Sequence, residues 1–94
     1  MRKAMSEEKR LRPEVLEFAQ EMEKVLREND AEKGDSWKKM YMSELHECLN
    51  KEADEYWAAE TDEDSAKECV DAANILMMLY HRHKEEIIKK GDKA

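Results

Sequence analysis

Helix-breaking residues are almost missing from this chain of 94 residues, which contains two glycines and one proline. Glycine and proline interrupt helices more strongly than any other residue, whereas Ala, Leu, Met, Glu, Lys and Arg favour them. These helix-favouring types dominate the sequence. The sequence therefore predicts an all-α fold and argues against a β fold. At this length the chain forms one domain at most.

The few breaks divide the chain into three main helices. We expect a flexible lead-in over residues 1–12 and a single helical domain over residues 13–90. The predicted helices cover residues 13–29, a stretch from Trp37 or Met42 to Ala59, and residues 63–89.

Signals for helix ends lie at each break. Pro13 suits a first helical turn, because the N–H that proline lacks would have no intrahelical partner there. Asp35 or Ser36 can cap the second helix, and residues 61–65 supply capping candidates and first-turn acids for the third. Gly91 is expected to stop the third helix.

The apolar residues indicate how the helices pack. One sector of the second helix, about 100° wide at 100° per residue, contains Tyr41, Leu45, Cys48, Leu49, Tyr56 and Ala59. The third helix is apolar nearly all round between Cys69 and Tyr80, so we expect it to be central and the most buried. Three helices leave apolar surface uncovered, including Trp57 outside that sector. We therefore predict a helical bundle completed by oligomerisation, as a homodimer or homotetramer.

Charge and composition narrow the class of protein. Seventeen Lys and Arg against 24 Asp and Glu give a formal charge of −7, which disfavours nucleic acid as a partner. No stretch approaches 18 consecutive apolar residues and the start of the chain lacks a signal-peptide core, so we expect neither a membrane span nor secretion. Cys48 and Cys69 fit no zinc motif and suggest reduced thiols in a cytoplasmic protein.

Two pairs of carboxylates occupy unusual positions. Glu52 and Glu55 in the second helix, and Glu68 and Asp71 in the third, are each spaced i, i+3, which places both members on one helix face. Glu52 falls in the middle of the apolar sector, and Asp71 interrupts the apolar run. An unpaired buried carboxylate costs several kcal/mol or stays protonated. We therefore predict that the two helices face each other and that the four carboxylates share a metal ion.

The ligand types favour Mg²⁺, with Mn²⁺ as a second choice. Hard divalent cations prefer oxygen ligands, and Mg²⁺ commonly shares phosphate oxygens of a substrate. A di-iron site of the ferritin type needs a histidine three residues after a glutamate. None of His46, His81 and His83 has a glutamate at that position. Four carboxylates around one or two ions would leave room for a triphosphate and a nucleophilic water.

These residues also resemble a known family. Glu52-x-x-Glu55, then twelve residues, then Glu68-x-x-Asp71 followed by Ala-Ala-Asn-Ile-Leu-Met-Met-Leu is similar to the MazG-like branch of the all-α nucleoside triphosphate pyrophosphohydrolases, over roughly residues 34–83. The resemblance implies Mg²⁺-dependent hydrolysis of (deoxy)nucleoside triphosphates to monophosphate and pyrophosphate. Water would attack the α-phosphorus, and the same four acids would be the metal ligands and catalytic residues.

The chain departs from the family pattern in two ways. Lys51 stands where the family usually has the first Glu of Glu-Glu-x-x-Glu, a change that concerns the surroundings of the metal ligands rather than the ligands. The chain is also short for the family and has no separate fourth helix in its pattern. The alternatives left open are a phosphoribosyl-ATP pyrophosphohydrolase and a non-enzymatic helical interaction protein that keeps a vestigial acidic site.

Four further residues are candidate substrate contacts. Asn74, one turn after Asp71, can bond a nucleobase or sugar, or serve as a buried structural amide. Trp37 can stack on a base or anchor the core. Lys38 and Arg82 are candidate phosphate contacts, with Arg82 on the side of the third helix that carries its carboxylate pair.

Overall fold

Three α-helices account for most of the chain. The computed structural model describes residues 10–93, with side chains from residue 10 to residue 91. The helices are α1 (Pro13–Asn29), α2 (Met42–Ala58) and α3 (Asp62–Lys93), and a short 3-10 helix, Ser36–Lys38, lies between α1 and α2. Residues 10–93 contain no strand, which confirms the all-α prediction. Residues 1–9 of the predicted lead-in fall outside the described residues.

Local hydrogen bonds explain where each helix begins. Pro13 occupies the first turn of α1, as expected from its missing N–H. Thr61 Oγ1 accepts a hydrogen bond from the Asp64 backbone N–H at 3.1 Å, so the predicted cap of α3 is present. The second helix begins at Met42, one of the two predicted starts, but its cap differs from the prediction. The backbone N–H of Tyr41 donates to the Glu44 carboxylate at 2.8 Å, whereas Asp35 precedes the 3-10 helix and makes no capping hydrogen bond through its side chain.

Of the two glycines, Gly34 turns the chain after α1, whereas Gly91 does not end α3. Gly34 has a φ of +44°, and a Cβ at that position would lie 3.4 Å from the Asp30 carbonyl oxygen. Glycine adopts this left-handed conformation without strain, which lets the connection turn after α1. Gly91 was predicted to stop α3, but the helix continues through it to Lys93. A glycine with a helical φ only weakens a helix, by about 1 kcal/mol, and does not end it.

The third helix is the centre of the fold, as predicted. It packs against α2 and against α1. Among the described residues, the buried side chains are Leu45 of α2 and three residues of α3, Val70, Asn74 and Leu79. Asn74 Nδ2 donates to the Met22 carbonyl oxygen at 3.3 Å and thereby ties α1 to α3.

The connection between α1 and α2 is held against α3 by Arg82. Its Nη1 donates to the carbonyl oxygens of Trp37 at 3.0 Å and of Met40 at 2.6 Å. Hydrogen bonds from a charged donor are stronger than those between neutral groups. The 3-10 helix is therefore fixed in place on the C-terminal half of α3.

The predicted apolar sector of α2 is only partly buried. Leu45 is 1% exposed, and Cys48 and Leu49 are half-buried. Tyr41 is 77% exposed, because it lies before the first turn of α2 and so does not follow the helical stripe. Tyr56 is 38% exposed, because it lies at the open C-terminal end of the helix.

A large part of the apolar surface stays uncovered. The radius of gyration is 16.2 Å, compared with about 12 Å for a compact domain of this length. An apolar groove of about 420 Å³ runs along α2 and α3, with α1 at its border. We call it the apolar groove; it is lined by Phe18, Ala53, Tyr56, Trp57, Glu68, Cys69, Ala72, Ala73 and Leu76. Trp57 is 80% exposed and Leu76 53% exposed.

The helices are too short or too polar for a bilayer. Within residues 10–93, no helix is both long enough and apolar enough to cross a membrane.

Candidate metal centre and adjoining cavity

The packing of α2 on α3 brings three of the four predicted carboxylates together. Glu52, Glu55 and Glu68 each offer one carboxylate oxygen, and these oxygens all lie within 4.8 Å of one another. We call these three residues the acidic cluster. The i, i+3 spacing puts Glu52 and Glu55 on one face of α2, and Glu68 meets them from the first turns of α3.

The acidic cluster is partly withdrawn from solvent. All three side chains are half-buried. Glu52 Oε2 and Glu68 Oε2 are buried and have no hydrogen-bond partner among the residues that the structure describes. Removing a carboxylate oxygen from water without a partner is costly, since the charge loses its hydration. These two oxygens therefore call for a proton or a cation.

Glu52 shows the electrostatic consequence most clearly. The pKa of its carboxyl rises from the ordinary 4.5 to about 7. Burial is the largest cause, followed by the neighbouring carboxylate of Glu68, to which a protonated Glu52 can donate a hydrogen bond. The charges of Glu55 and Asp71 raise this pKa further. A cation in the acidic cluster would act in the opposite direction, because a nearby positive charge favours the ionised carboxylate.

Asp71 lies beside the acidic cluster and is not one of the three converging residues. Burial raises the pKa of Asp71, and so does the charge of Glu68, while Lys67 and Lys33 lower it. The Asp71 carboxylate is therefore subject both to the negative charge of the acidic cluster and to the positive charges of Lys67 and Lys33. That Asp71 also binds the ion stays a prediction.

The acidic cluster fits a hard divalent cation. It offers oxygen ligands alone, the type that Mg²⁺ and Mn²⁺ prefer. Two of its oxygens are buried without a partner, which a metal ion would supply. Three protein ligands would also leave positions for water and substrate oxygens, as is usual for Mg²⁺.

A cavity of about 200 Å³ adjoins the carboxylates. We call it the carboxylate cavity. It lies between α1, the connection, α2 and α3, and it is lined by Val25, Leu26, Asn29, Lys33, Gly34, Glu52, Asp71, Asn74, Ile75 and Met78. An apolar pocket with a few convergent polar groups is typical of a small-molecule site.

Asn74 is the predicted substrate contact that does reach this cavity. It lines the wall, is 4% exposed, and bonds the Met22 carbonyl through Nδ2. Its Oδ1 is buried and accepts no hydrogen bond from residues 10–91. Asn74 is thus a buried structural amide with an unpaired acceptor, and its contact with a nucleobase or sugar stays a prediction.

The other three predicted substrate contacts lie elsewhere. Trp37 and Lys38 border a separate surface hollow of about 600 Å³, which they share with residues of the C-terminal half of α3. Lys38 Nζ lies 3.3 Å from the Asp35 carboxylate and 5.6 Å from the centre of the Trp37 ring. Arg82 is engaged by two backbone carbonyls. None of these three lines the carboxylate cavity, and their roles toward a substrate stay predictions.

Residues of α1 and of the connection were missed by sequence reasoning. Asn29, Lys33 and Gly34 form part of the cavity wall. Lys33 is close enough for its charge to act on the Asp71 carboxylate. Nothing in the local sequence predicts this contact, because Gly34 indicates a turn but not where the turned segment packs.

Comparisons with known proteins leave the family open. No protein-family model matches the chain, and no curated protein and no solved structure shows a significant similarity to it. The resemblance to the MazG-like enzymes therefore stays a prediction from the spacing of the carboxylates.

Proposed function

We propose that this protein is a Mg²⁺-dependent hydrolase that splits (deoxy)nucleoside triphosphates into monophosphate and pyrophosphate. The observation that carries the proposal is the acidic cluster, three carboxylate oxygens within 4.8 Å of one another. It is supported by the two buried oxygens without partners and by the carboxylate cavity next to them. The resemblance of the spacing to MazG-like enzymes supplies the reaction.

The proposed chemistry assigns separate tasks to the chain. Glu52, Glu55 and Glu68 would hold the cation, which when bound would neutralise phosphate charge and make a water more acidic. Hydrolysis forms a bond from the water oxygen to the α-phosphorus and breaks the bond to the oxygen that leaves with pyrophosphate. Asp71 lines the cavity outside the acidic cluster, and we assign it to accept the proton that the attacking water loses.

We also propose that the enzyme is a homo-oligomer whose second copy covers the apolar groove. Trp57 packs edge-on against Tyr56, with ring centres 5.2 Å apart, and both are exposed. Tyr and Trp side chains are enriched at protein interfaces, which supports this assignment. Glu68 lines the groove as well as belonging to the acidic cluster, so a second copy would lie next to the site. Cys48 and Cys69 are free thiols, which accords with the cytoplasmic location that we propose.

Product analysis across a panel of triphosphates tests the activity. We expect Mg²⁺-dependent formation of monophosphate and pyrophosphate from at least one canonical, deoxy or damaged nucleoside triphosphate, with phosphoribosyl-ATP included in the panel. Glu52→Gln and Asp71→Asn should each lower turnover by about 100-fold or more, since removing one electrostatic contact in an active site commonly costs that much. Their circular dichroism should match the parent protein.

Asp54→Asn is the matched control, because Asp54 is an exposed carboxylate on the same helix. It should leave turnover unchanged. Release of single phosphate in place of pyrophosphate would contradict the proposed reaction. A protein that hydrolyses nothing in the panel and shows no thermal shift with Mg²⁺ or Mn²⁺ would be an interaction protein instead.

A further inference from the structure

The side chain of Asn74 has a fixed orientation. Its Nδ2 donates to the Met22 carbonyl oxygen, which can only accept, so the amide cannot be turned around without losing this bond. Oδ1 is therefore held as an acceptor without a donor, in a side chain that is 4% exposed. Leaving a buried polar atom without a partner destabilises the fold, so a donor supplied by a ligand would be favourable.

Asn74 borders the carboxylate cavity, and a donor for its Oδ1 would have to enter there. Asn74 lines the cavity together with the apolar side chains of Val25, Leu26, Ile75 and Met78. Apolar walls suit the faces of a flat ring, and a single acceptor suits an N–H group on its edge. The polar wall formed by Glu52 and Asp71 belongs to the same cavity.

The size of the cavity limits the ring. Its volume is about 200 Å³, and an apolar cavity of about 150 Å³ accommodates benzene. The enclosed part of the cavity matches one six-membered ring with small substituents more closely than two fused rings. Complete ligand sites usually measure about 300–1,000 Å³, so this cavity holds a part of its ligand.

We propose that the carboxylate cavity binds the single-ring base of a pyrimidine nucleotide, with an N–H group of the base donating to Asn74 Oδ1. The ring N–H of uracil and the exocyclic amino group of cytosine both meet this requirement. The proposal rests on the proposed function for the phosphate end, which would lie at the acidic cluster. The base end rests on the cavity and on Asn74.

Binding of nucleosides tests the base end without phosphate or metal. Ligand-detected NMR titrations would compare 2′-deoxyuridine and 2′-deoxycytidine with 2′-deoxyadenosine, 2′-deoxyguanosine and 3-methyl-2′-deoxyuridine, which lacks the ring N–H. We expect both pyrimidine nucleosides to bind about tenfold more tightly than the purines, and the methylated nucleoside to lose about tenfold against deoxyuridine. Equal binding of purines, equal binding of the methylated nucleoside, or no binding up to the solubility limit would overturn the proposal.

Two variants separate recognition from folding. Asn74→Leu keeps the volume and removes the acceptor, so deoxyuridine and its methylated form should then bind equally. This variant also loses the bond to Met22. Val25→Phe therefore serves as a second test, because it fills the cavity and leaves Asn74 intact. It should lower deoxyuridine binding about tenfold or more, whereas Lys24→Phe, on an exposed position of α1, should not.

The two proposals fail in different ways. If deoxyuridine binds with the expected selectivity but no triphosphate is hydrolysed, the hydrolase proposal is wrong and the base site stands. If purine triphosphates are hydrolysed as well as pyrimidine ones, the base site is wrong and the hydrolase stands.

Discussion

The acidic cluster and the apolar groove are built from the same two helices and meet at Glu68. In the acidic cluster, carboxylate oxygens are buried without partners. In the groove, Trp57 is 80% exposed although its ring is apolar. The acidic cluster withdraws charged groups from water, whereas the groove exposes apolar side chains to water.

The two regions differ in the kind of partner that our proposals assign to them. A cation would balance the first region and cannot cover the second, whereas a second copy would cover the second region. Among the described residues only three apolar side chains are buried, Leu45, Val70 and Leu79, so much apolar surface stays exposed, and the groove is one part of it. Three of the following changes act on one of these regions alone, and Arg82→Met acts on the connection, outside both.

Trp57→Ser should have the largest effect. Aromatic residues at the centre of an interface commonly contribute about 2–4 kcal/mol, so association of the copies should weaken about 30-fold or more. Sedimentation analysis across protein concentrations would measure the shift toward monomer. Tyr41→Ser is the control, because Tyr41 is 77% exposed but lies outside the groove. A parent protein that is monomeric at every concentration would remove the basis for this contrast.

Addition of Mg²⁺ should give the next largest effect, and only through the acidic cluster. The folded pKa of Glu52 is about 7, above its ordinary 4.5. The unfolded chain therefore loses this proton first as the pH rises. The stability that the Glu52 proton contributes to the metal-free protein is lost as the pH rises from about 4.5 to 7. The raised pKa of Asp71 adds a loss in the same direction.

Thermal melts at about pH 5 and pH 8 would measure this dependence. Mg²⁺ at about 100 times its Kd would add about 2.7 kcal/mol, so we expect a rise in Tm of roughly 10 °C or more at pH 8. The rise should be smaller at pH 5, where the ion competes with bound protons. Equal shifts at both pH values would place the ion away from Glu52.

Arg82→Met should lower the free energy of unfolding by about 2 kcal/mol, since hydrogen bonds to charged groups contribute about 1.5–3 kcal/mol. The variant removes the Arg82 guanidinium, whose Nη1 donates hydrogen bonds to the carbonyl oxygens of Trp37 and Met40. Lys84→Met is the control, because Lys84 is exposed and lies two residues further along α3; it should cost less than about 0.5 kcal/mol. Urea denaturation measures both. A loss as small as that of Lys84→Met would show that these two contacts do not hold the connection.

Glu52→Gln should have the smallest effect on folding, and with the opposite sign. It removes a charge that burial and three neighbouring carboxylates disfavour. We expect a gain of about 1 kcal/mol at pH 8 without metal, a modest value because Glu52 is only half-buried and solvent screens its charge. Urea denaturation without and with Mg²⁺ checks this, since Mg²⁺ should then stabilise the parent more than the variant.

Local sequence predicted the helices and much of the acidic cluster. Scarce glycine and proline leave few possible breaks, and each observed helix begins within one residue of a predicted start. The i, i+3 spacing predicted that Glu52 and Glu55 share a face, and the packing of α2 on α3 brought Glu68 to them. These features depend on helical period, which can be read from neighbours in the chain.

The cavity wall depends on contacts between distant segments. Lys33 reaches the Asp71 region because the connection turns at Gly34, and nothing near Lys33 in the sequence signals that meeting. Arg82 was a candidate phosphate contact, which stays a prediction, and the sequence contains no sign that its Nη1 donates to carbonyls of the connection. Side-chain type predicted the chemistry that each residue offers, but the partner is decided by tertiary packing.

The unbroken course of α3 determines which parts can move when a ligand enters. Glu68, Asn74 and Arg82 lie on one helix of 32 residues and span about 21 Å, so they shift as a single rod. Widening of the carboxylate cavity would then come from displacement of α1, the connection or α2, which form its other walls. Asn74 holds α1 through a hydrogen bond to the Met22 carbonyl. Arg82 holds the connection through the carbonyls of Trp37 and Met40. Asn74, which we propose to contact the base, therefore also holds α1 in position, and movement of α1 would break this hydrogen bond.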